Sequence, residues 1–294
     1  MLRSRWRVLT LASMGSVVVA LAARLLLVDS AGGLVYATSG GEPLTLHLDY
    51  PTQRTGRCPV VLFAPHRGDW GTTARSDARC RILIEGLTNR GYAVATAEYR
   101  LAGVHQFPDQ IIDGKRAVRW LRSNADRLGL AGERIGAVGV SAGGYGICML
   151  GTTDGAGDFD DPDDHSVSAR LQAVAALGAP TDLAARNWPR ITEQVYIRPF
   201  LGRPFQDEPD LYVRASPVAH VTSQSSPFLL FHSTGDRLVP VEQSRVFADR
   251  LRQAGVPVEL VEEEGAEHVW GGGRLVRTVD RLGRFFDHHL ELDP

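Results

Sequence analysis

The chain has 294 residues, of which 44% are hydrophobic and 22% charged, and a formal net charge of -2. This is an ordinary globular composition, with no electrostatic basis for binding nucleic acid or an acidic polymer. The length suits two small domains or one large α/β domain that needs no disulfide or metal staple. The cysteines are too few and too widely spaced for a disulfide framework or a zinc site, and only a Cys58–Cys80 bridge stays open.

The N-terminus combines three arginines in "MLRSRWR" with an apolar run that stays uncharged until Arg24. Basic residues ahead of an apolar stretch predict a signal peptide or a signal anchor over residues 1–30. An "ALA" tripeptide would suit cleavage, whereas residues 8–28 are long enough to span a bilayer, so cleavage stays open. Either form makes the rest of the chain extracytoplasmic, secreted or anchored, with membrane contact only through this segment.

From residue 34 the chain alternates short apolar runs with longer helical ones. The runs predict strands at 44–50, 59–64, 92–99, 134–140, 171–180, 227–232 and 256–262. Helices are predicted at 78–91, within 107–129, and at 241–254 and 274–290. This order predicts one α/β domain, 34–294, with a mostly parallel central sheet and helices on both faces. Residues 184–216 interrupt the alternation and predict a small cap insertion. The acidic run 154–164 lacks the order of a calcium loop and predicts a solvated loop.

The strand "RIGAVGV" runs directly into Gly139-Val140-Ser141-Ala142-Gly143. A Gly-x-Ser-x-Gly that closes a strand and opens a helix predicts a nucleophile elbow, with Ser141 at the tip of a strained turn. Gly139 and Gly143 are expected because a side chain there would collide with the crossing strand and helix.

A serine hydroxyl needs a base and an orienting acid, which follow it along the chain in this type of fold. Asp236 and His268 each follow a predicted strand, at the sheet edge where ligands bind in open α/β sheets. Asp182 is the rival acid, but it comes one strand too early. The sequence therefore predicts Ser141, Asp236 and His268 as a catalytic triad, with no metal and no organic cofactor.

The loop "PHRGDWG" follows the buried strand that ends at Ala64. In a nucleophile-elbow fold, the oxyanion hole takes one N–H from Ala142 and another from this loop, here Arg67 or Gly68. The tripeptide Arg67-Gly68-Asp69 also matches a cell-adhesion signal, but adhesion requires a protruding free loop. A variant oxyanion loop is the favoured interpretation.

Several motifs together resemble the α/β-hydrolase superfamily, in its acetylesterase, feruloyl-esterase and lipase-like branch. They are "HRGDW", "GVSAGG", "PFLLFHSTGDRLVPVEQS" and "GAEH", within a likeness that covers residues 34–290. The family's oxyanion loop reads His-Gly-Gly-Gly/Ala-Trp. His66, Gly68 and Trp70 match that pattern, whereas Arg67 and Asp69 replace small residues and put the acyl size in doubt.

The resemblance and the triad predict a serine hydrolase that cleaves small carboxylic esters, of short acyl or aryl type, through an acyl-serine intermediate. An aryl-formamidase, a small prolyl-oligopeptidase-like peptidase and a catalytically silent binding or adhesion module stay open. His66, Trp70, Tyr145, Tyr196 and Phe200 are the candidate substrate-pocket residues. The cap aromatics, Phe205 and Tyr212 among them, could equally form a satellite core. The physiological ester and the oligomeric state stay open.

Overall fold

The structure is a computed structural model. It describes residues 30–54, 56–65, 77–100, 102, 104–155, 157–161, 167–265 and 267–291. The predicted signal segment up to residue 29 and the loop 66–76 lie outside the described residues.

Within these ranges, eight strands form one sheet in the order β1-β2-β4-β3-β5-β6-β7-β8. The strands are β1 (Ser30–Ser39), β2 (Glu42–Asp49), β3 (Cys58–Ala64), β4 (Ala93–Ala97), β5 (Leu130–Val140), β6 (Ala173–Leu177), β7 (Phe228–Ser233) and β8 (Val258–Glu263). β1 and β2 pair antiparallel, β2 joins β4 antiparallel, and β3 to β8 are parallel. The predicted mostly parallel sheet is confirmed.

β1 was not predicted. It contains Gly33 at φ 68°, and its register with β2 shifts between Ala31 and Leu34 and again between Val35 and Ala37. These irregularities remove the alternation by which a half-buried strand is recognised in a sequence. Among the described residues, the first strand thus starts at Ser30, a few residues before the predicted domain start.

Helices cover both faces of the sheet. They are α1 (Ala78–Thr88), α2 (Asp109–Ser123), α3 (Ala125–Leu128), α4 (Ala142–Thr152), α5 (Arg190–Thr192), α6 (Arg198–Leu201), α7 (Pro209–Arg214), α8 (Glu242–Gln253) and α9 (Gly272–His289). Alternate β3 residues belong to opposite cores. The cluster of Val60 and Leu62 includes residues of α2, α4 and α8, whereas that of Val61 and Phe63 includes residues of α1 and α9. A strand covered on both faces is continuously apolar, which is why "CPVVLFA" has no polar position.

The predicted insertion lies between β6 and β7 and consists of short helices. α5 and α6 are joined by a π-helical turn (Glu193–Ile197), and a 3₁₀ turn (Pro217–His220) follows α7. Its apolar side chains form a third cluster with residues of α2 and α4. The members include Phe107, Ile111, Tyr145, Met149, Trp188, Ile197, Leu201 and Tyr212. The insertion is thus fastened next to α4, the helix that follows the elbow serine.

None of the three cysteines is in a disulfide bond. Cys58, Cys80 and Cys148 are all buried, so the Cys58–Cys80 bridge that the sequence left open does not form. Burial raises the pKa of the Cys80 thiol to about 12, in agreement with a packing role.

The chain enters the sheet far from the elbow. Ser30 pairs with Asp49, and Asp49 pairs with Val94 near the start of β4, whereas Ser141 follows the end of β5. In the described part of the chain, no helix is long and apolar enough to cross a membrane.

The acidic run is the predicted solvated loop only in part: Asp154, Gly155 and Asp158 are exposed, whereas the Asp160 side chain is not. Asp160 is buried against α2, where its Oδ1 lies 2.5 Å from Arg119 Nη2 and 3.2 Å from Lys115 Nζ. The Lys115 side chain is only 1% exposed and also donates to the Thr153 carbonyl at 2.6 Å. Burial lowers the pKa of Lys115, while Asp160 opposes that shift. The run therefore supplies the counter-charge for two buried cations.

Asp160→Ala is expected to lower the unfolding free energy by about 3–5 kcal/mol, because it leaves Lys115 and Arg119 buried without their carboxylate. Urea unfolding followed by tryptophan fluorescence measures this loss. Asp207→Ala, which removes an exposed carboxylate, is the control. A loss no greater than in that control would contradict the structural role of Asp160.

Candidate active site

Ser141 occupies a strained position between β5 and α4. Its backbone has φ 56° and ψ -121°, a left-handed φ that non-glycine residues rarely adopt. The Ser141 N–H donates to the Leu177 carbonyl of β6 at 2.8 Å, and the Ser141 carbonyl accepts from Tyr145 N–H at 2.9 Å. The turn is therefore held by the neighbouring strand on one side and by the first turn of α4 on the other.

The two elbow glycines are required by space, as the sequence predicts. A Cβ on Gly139 would lie 2.5 Å from the Gly143 carbonyl oxygen. A Cβ on Gly143 would lie 2.5 Å from the Pro65 carbonyl oxygen and closer still to that of Ala64. These contacts press the start of α4 against the end of β3, directly before the loop that begins at residue 66.

Asp236 and His268 lie in loops after β7 and β8, and they meet Ser141 at the carboxyl edge of the sheet. His268 Nε2 is 2.7 Å from Ser141 Oγ, and His268 Nδ1 is 2.5 Å from Asp236 Oδ2. The Asp236 side chain is fully buried and that of His268 is 16% exposed. Hydrogen bonds therefore connect the three predicted side chains in the order Ser141, His268, Asp236.

The hydrogen bonds fix the tautomer of His268. A carboxylate only accepts, so Nδ1 carries the proton and donates to Asp236. In the neutral ring Nε2 is then unprotonated and accepts from the Ser141 hydroxyl. The arrangement can withdraw the serine proton and stabilise the imidazolium that results.

Asp236 is held as an anion. Burial alone would raise the pKa of its carboxyl, but hydrogen bonds from His232 and His268, the charge of His268 and the Val239 amide together hold that pKa well below its usual range. Its Oδ1 accepts from the amides of Leu238 at 2.8 Å and Val239 at 3.0 Å. Both carboxylate oxygens are thus saturated by fixed donors.

Ala142 presents an amide beside the nucleophile. It is the exposed first residue of α4, where N–H groups have no intrahelical acceptor and the helix dipole favours negative charge. The second predicted donor, Arg67 or Gly68, lies outside the described residues. So do His66 and Trp70, and the roles of all four stay predictions.

Comparison with known proteins agrees with this geometry. The BD-FAE family model matches residues 46–251, more than half of the chain and inclusive of the elbow serine and the acid loop. The chain belongs to the BD-FAE family. The predicted membership in the α/β-hydrolase superfamily is thereby confirmed, because the structural neighbours are esterases with this fold.

Relatives of this BD-FAE chain include Esterase LipC of Mycobacterium tuberculosis, which is 30% identical over 81% of this chain and 60% of its own length. The chain thus spans about 60% of LipC. The Arylesterase of Saccharolobus solfataricus is 26% identical over 80% of this chain and 76% of its own. The esterase Est2 of Thermogutta terrifontis, solved with propionate bound, has a TM-score of 0.73 and 26% identity, and the match covers 92% of this chain and 97% of Est2.

The rival acid does not reach the histidine. Asp182 Oδ1 accepts from the Ala184 amide at 3.1 Å within its own turn, and the Asp182 backbone is held by Gln243. Glu267, adjacent to His268 in sequence, is exposed. The carboxylate that pairs with His268 therefore comes from the loop after β7.

The predicted pocket residues separate into two environments. The rings of Tyr145 and Phe200 pack edge to face with centroids 5.4 Å apart, and those of Phe205 and Tyr212 with centroids 5.2 Å apart. All four residues belong to the third apolar cluster, that of the insertion. Tyr196 is 59% exposed. The satellite-core interpretation describes the packing of the first four, while contact of Tyr145, Tyr196 and Phe200 with substrate stays a prediction.

Gly178, directly after β6, was not singled out from the sequence. Its φ is 58°, and a Cβ there would lie 3.4 Å from both Cε1 and Nδ1 of His268. Its N–H donates to the Phe231 carbonyl at 2.8 Å. Gly178 therefore backs the imidazole of this BD-FAE site, and a glycine at the end of a buried strand is the signal that could have revealed it.

In the described ranges, no three His, Cys, Asp or Glu side chains are grouped so that they could hold a metal ion.

Proposed function

We propose that this protein is a serine hydrolase that cleaves carboxylic esters of short acyl or aryl type. The observation that carries the proposal is the continuous relay from Ser141 Oγ through His268 to Asp236, at 2.7 and 2.5 Å. The esterase names of LipC, the Arylesterase and Est2 support the same reaction class.

In the proposed reaction, Ser141 Oγ attacks the ester carbonyl carbon while His268 Nε2 takes the hydroxyl proton. The negative charge that develops on the carbonyl oxygen is stabilised by the Ala142 amide together with Arg67 or Gly68. His268 then gives its proton to the leaving alcohol, which leaves an acyl-serine. Water, deprotonated by the same imidazole, attacks the acyl carbon, and the imidazolium returns the proton to Ser141 Oγ as the C–Oγ bond breaks, which releases the acid and free Ser141.

A series of p-nitrophenyl esters of increasing acyl length, given to the full chain, tests the substrate class. We expect the highest kcat/KM for acetate to butyrate, since Arg67 and Asp69 replace small residues in the oxyanion loop. The propionate in Est2 supports a short acyl group. Faster turnover of long-chain esters would contradict this preference.

A fluorophosphonate probe tests the nucleophile without a substrate. The wild type is expected to be labelled once per chain, with the label on the peptide that contains Ser141. Absence of labelling would favour the catalytically silent module, against which the assembled relay already counts. Faster cleavage of an N-formyl aryl amine or a peptide than of any ester would favour the formamidase or the peptidase.

We further propose that the domain works outside the cytoplasm, secreted or tethered by residues 1–30. The basic and apolar pattern of that segment supports this location. Cell fractionation followed by N-terminal sequencing distinguishes a cleaved signal from a retained anchor, and recovery of the intact chain in the cytoplasm would contradict both.

A further inference from the structure

His232, near the end of β7, is a buried histidine that takes no part in the proton transfers above. Its side chain is fully buried. Its ring is nevertheless enclosed by polar atoms rather than by apolar side chains alone. Nδ1 lies 2.7 Å from Ser244 Oγ of α8, and Nε2 lies 2.9 Å from the Val239 carbonyl oxygen and 3.5 Å from Asp236 Oδ2.

These contacts dictate where the ring carries its proton. The Val239 carbonyl and the Asp236 carboxylate only accept, so Nε2 must be protonated in either charge state of the ring. The Ser244 hydroxyl can donate to Nδ1 of the neutral ring or accept from it, and it therefore holds the ring plane in both states. His232 thus presents a fixed N–H toward the acid loop.

We propose that His232 is a positioning residue that sets the orientation and the effective charge of Asp236 for His268. This inference rests on the proposed function, since Asp236 acts there as the orienting acid. Two imidazoles face the same oxygen, Oδ2: His268 at 2.5 Å and His232 at 3.5 Å.

The orientation follows from a closed turn. Asp236 Oδ1 accepts from the Leu238 and Val239 amides, while the Val239 carbonyl accepts from His232. The ring therefore ties the far end of the turn to β7, and the same bond keeps in place the Val239 amide that holds Oδ1. The His232 Nε2–H group makes two contacts. Its hydrogen bond to the Val239 carbonyl at 2.9 Å is the stronger, and its 3.5 Å contact with Asp236 Oδ2 is the weaker.

The charge effect follows from the same N–H. A donor aimed at Oδ2 reduces the negative potential that His268 experiences from the carboxylate. Other charges around the ring are balanced locally: Glu262 of β8 lies opposite His232 in the sheet and is ion-paired at 2.6 Å with Arg245 of α8. Loss of the His232 N–H would therefore leave His268 facing a stronger anion and a looser turn.

His232→Met, which removes the donor, tests both effects in the full-length protein. We expect kcat/KM to fall roughly tenfold and the acid limb of its pH profile to move to higher pH by roughly 0.5 unit, because the imidazolium of His268 is stabilised by the less shared carboxylate. His232→Gln, which keeps an N–H near the Nε2 position, is expected to restore most of the wild-type kcat/KM and most of the wild-type pH profile. Ser244→Ala, which frees only the far side of the ring, should show the same trend more weakly.

A proton NMR measurement keeps the inference independent of esterase activity. The Nδ1 proton of His268, identified by its loss in His268→Ala, is expected to give a far-downfield signal that moves or broadens in His232→Met and returns in His232→Gln. The NMR signal can be measured even if the protein hydrolyses no ester. A failure of the positioning role of His232 is therefore distinguishable from a failure of the proposed esterase function.

Phe247→Leu in α8 is the matched control, a buried change in the helix of Ser244 that touches no part of the acid loop. It should lower the thermal midpoint without moving the pH limb or the NMR signal. If His232→Met behaves like Phe247→Leu, with stability lost and both signatures unchanged, His232 is only a core residue and the inference is overturned. Should His232→Met fail to fold, Ser244→Ala and His232→Gln decide by the same two signatures.

Discussion

Ser141→Ala is expected to lower kcat on a short p-nitrophenyl ester by a factor on the order of 10⁵–10⁶. The variant retains the amides that stabilise an oxyanion, but the acyl-serine pathway needs the Oγ that lies 2.7 Å from His268 Nε2. What remains is the small acceleration that binding and oxyanion stabilisation provide with water as the nucleophile. Stopped assays over hours, with freshly purified protein, measure this residual rate.

The fold should survive this substitution. The hydrogen bonds that hold the elbow use the backbone of Ser141, to Leu177 and from Tyr145, and alanine keeps both. The Ser141 hydroxyl is present for catalysis rather than for stability. We therefore expect that its removal leaves the thermal midpoint equal to or above that of the wild type. Ser226→Ala is the control: it removes a buried serine hydroxyl bonded to the Leu171 carbonyl, and it should lower stability but not kcat. More than a hundredth of wild-type kcat in Ser141→Ala would contradict the role of Ser141.

Much of this site could be predicted, because its residues are marked by local sequence patterns and by the order of strands and helices. The strand before Ser141 is read from its apolar run, and the parallel order then brings the loops after β5, β7 and β8 to one edge. Asp236 and His268 could be chosen because each directly follows a strand, and the flanking glycines because the turn leaves no room for a Cβ. Local pattern and topology were sufficient for these residues.

The remaining features depend on contacts between distant segments, which no local pattern records. The acidic run reads as solvated, yet Asp160 is buried against Lys115 and Arg119, roughly forty positions earlier in the chain. His232 reads as a core residue because its strand is apolar, and only the folded chain shows that its ring faces Asp236. Burial could be predicted for His232 alone, and the polar partners could be predicted for neither residue.

Asp236→Asn is expected to lower kcat by a factor on the order of 10³–10⁴, through the tautomer of His268. An asparagine can keep its oxygen on the Leu238 and Val239 amides, which turns its NH₂ toward His268 Nδ1. Two donors cannot face each other, so His268 must accept at Nδ1 and carry its proton on Nε2. That tautomer cannot take the Ser141 proton. Asp182→Asn, the rival carboxylate, should stay within a few-fold of the wild type, and the reverse ranking would move the acid to Asp182.

The same variant carries a pH signature in stability. The pKa of Asp236 is held well below its usual range in the folded protein, so its ionised form stabilises the fold at every pH above the unfolded-state pKa of about 4. That contribution is lost as the pH falls below this value toward the folded-state pKa. The difference in unfolding free energy between the wild type and Asp236→Asn should therefore be full at neutral pH and shrink below about pH 4. Urea unfolding of both proteins at neutral and acidic pH measures it. A difference that stays constant down to pH 3 would mean that the carboxylate gains nothing from its imidazole and amide donors on folding.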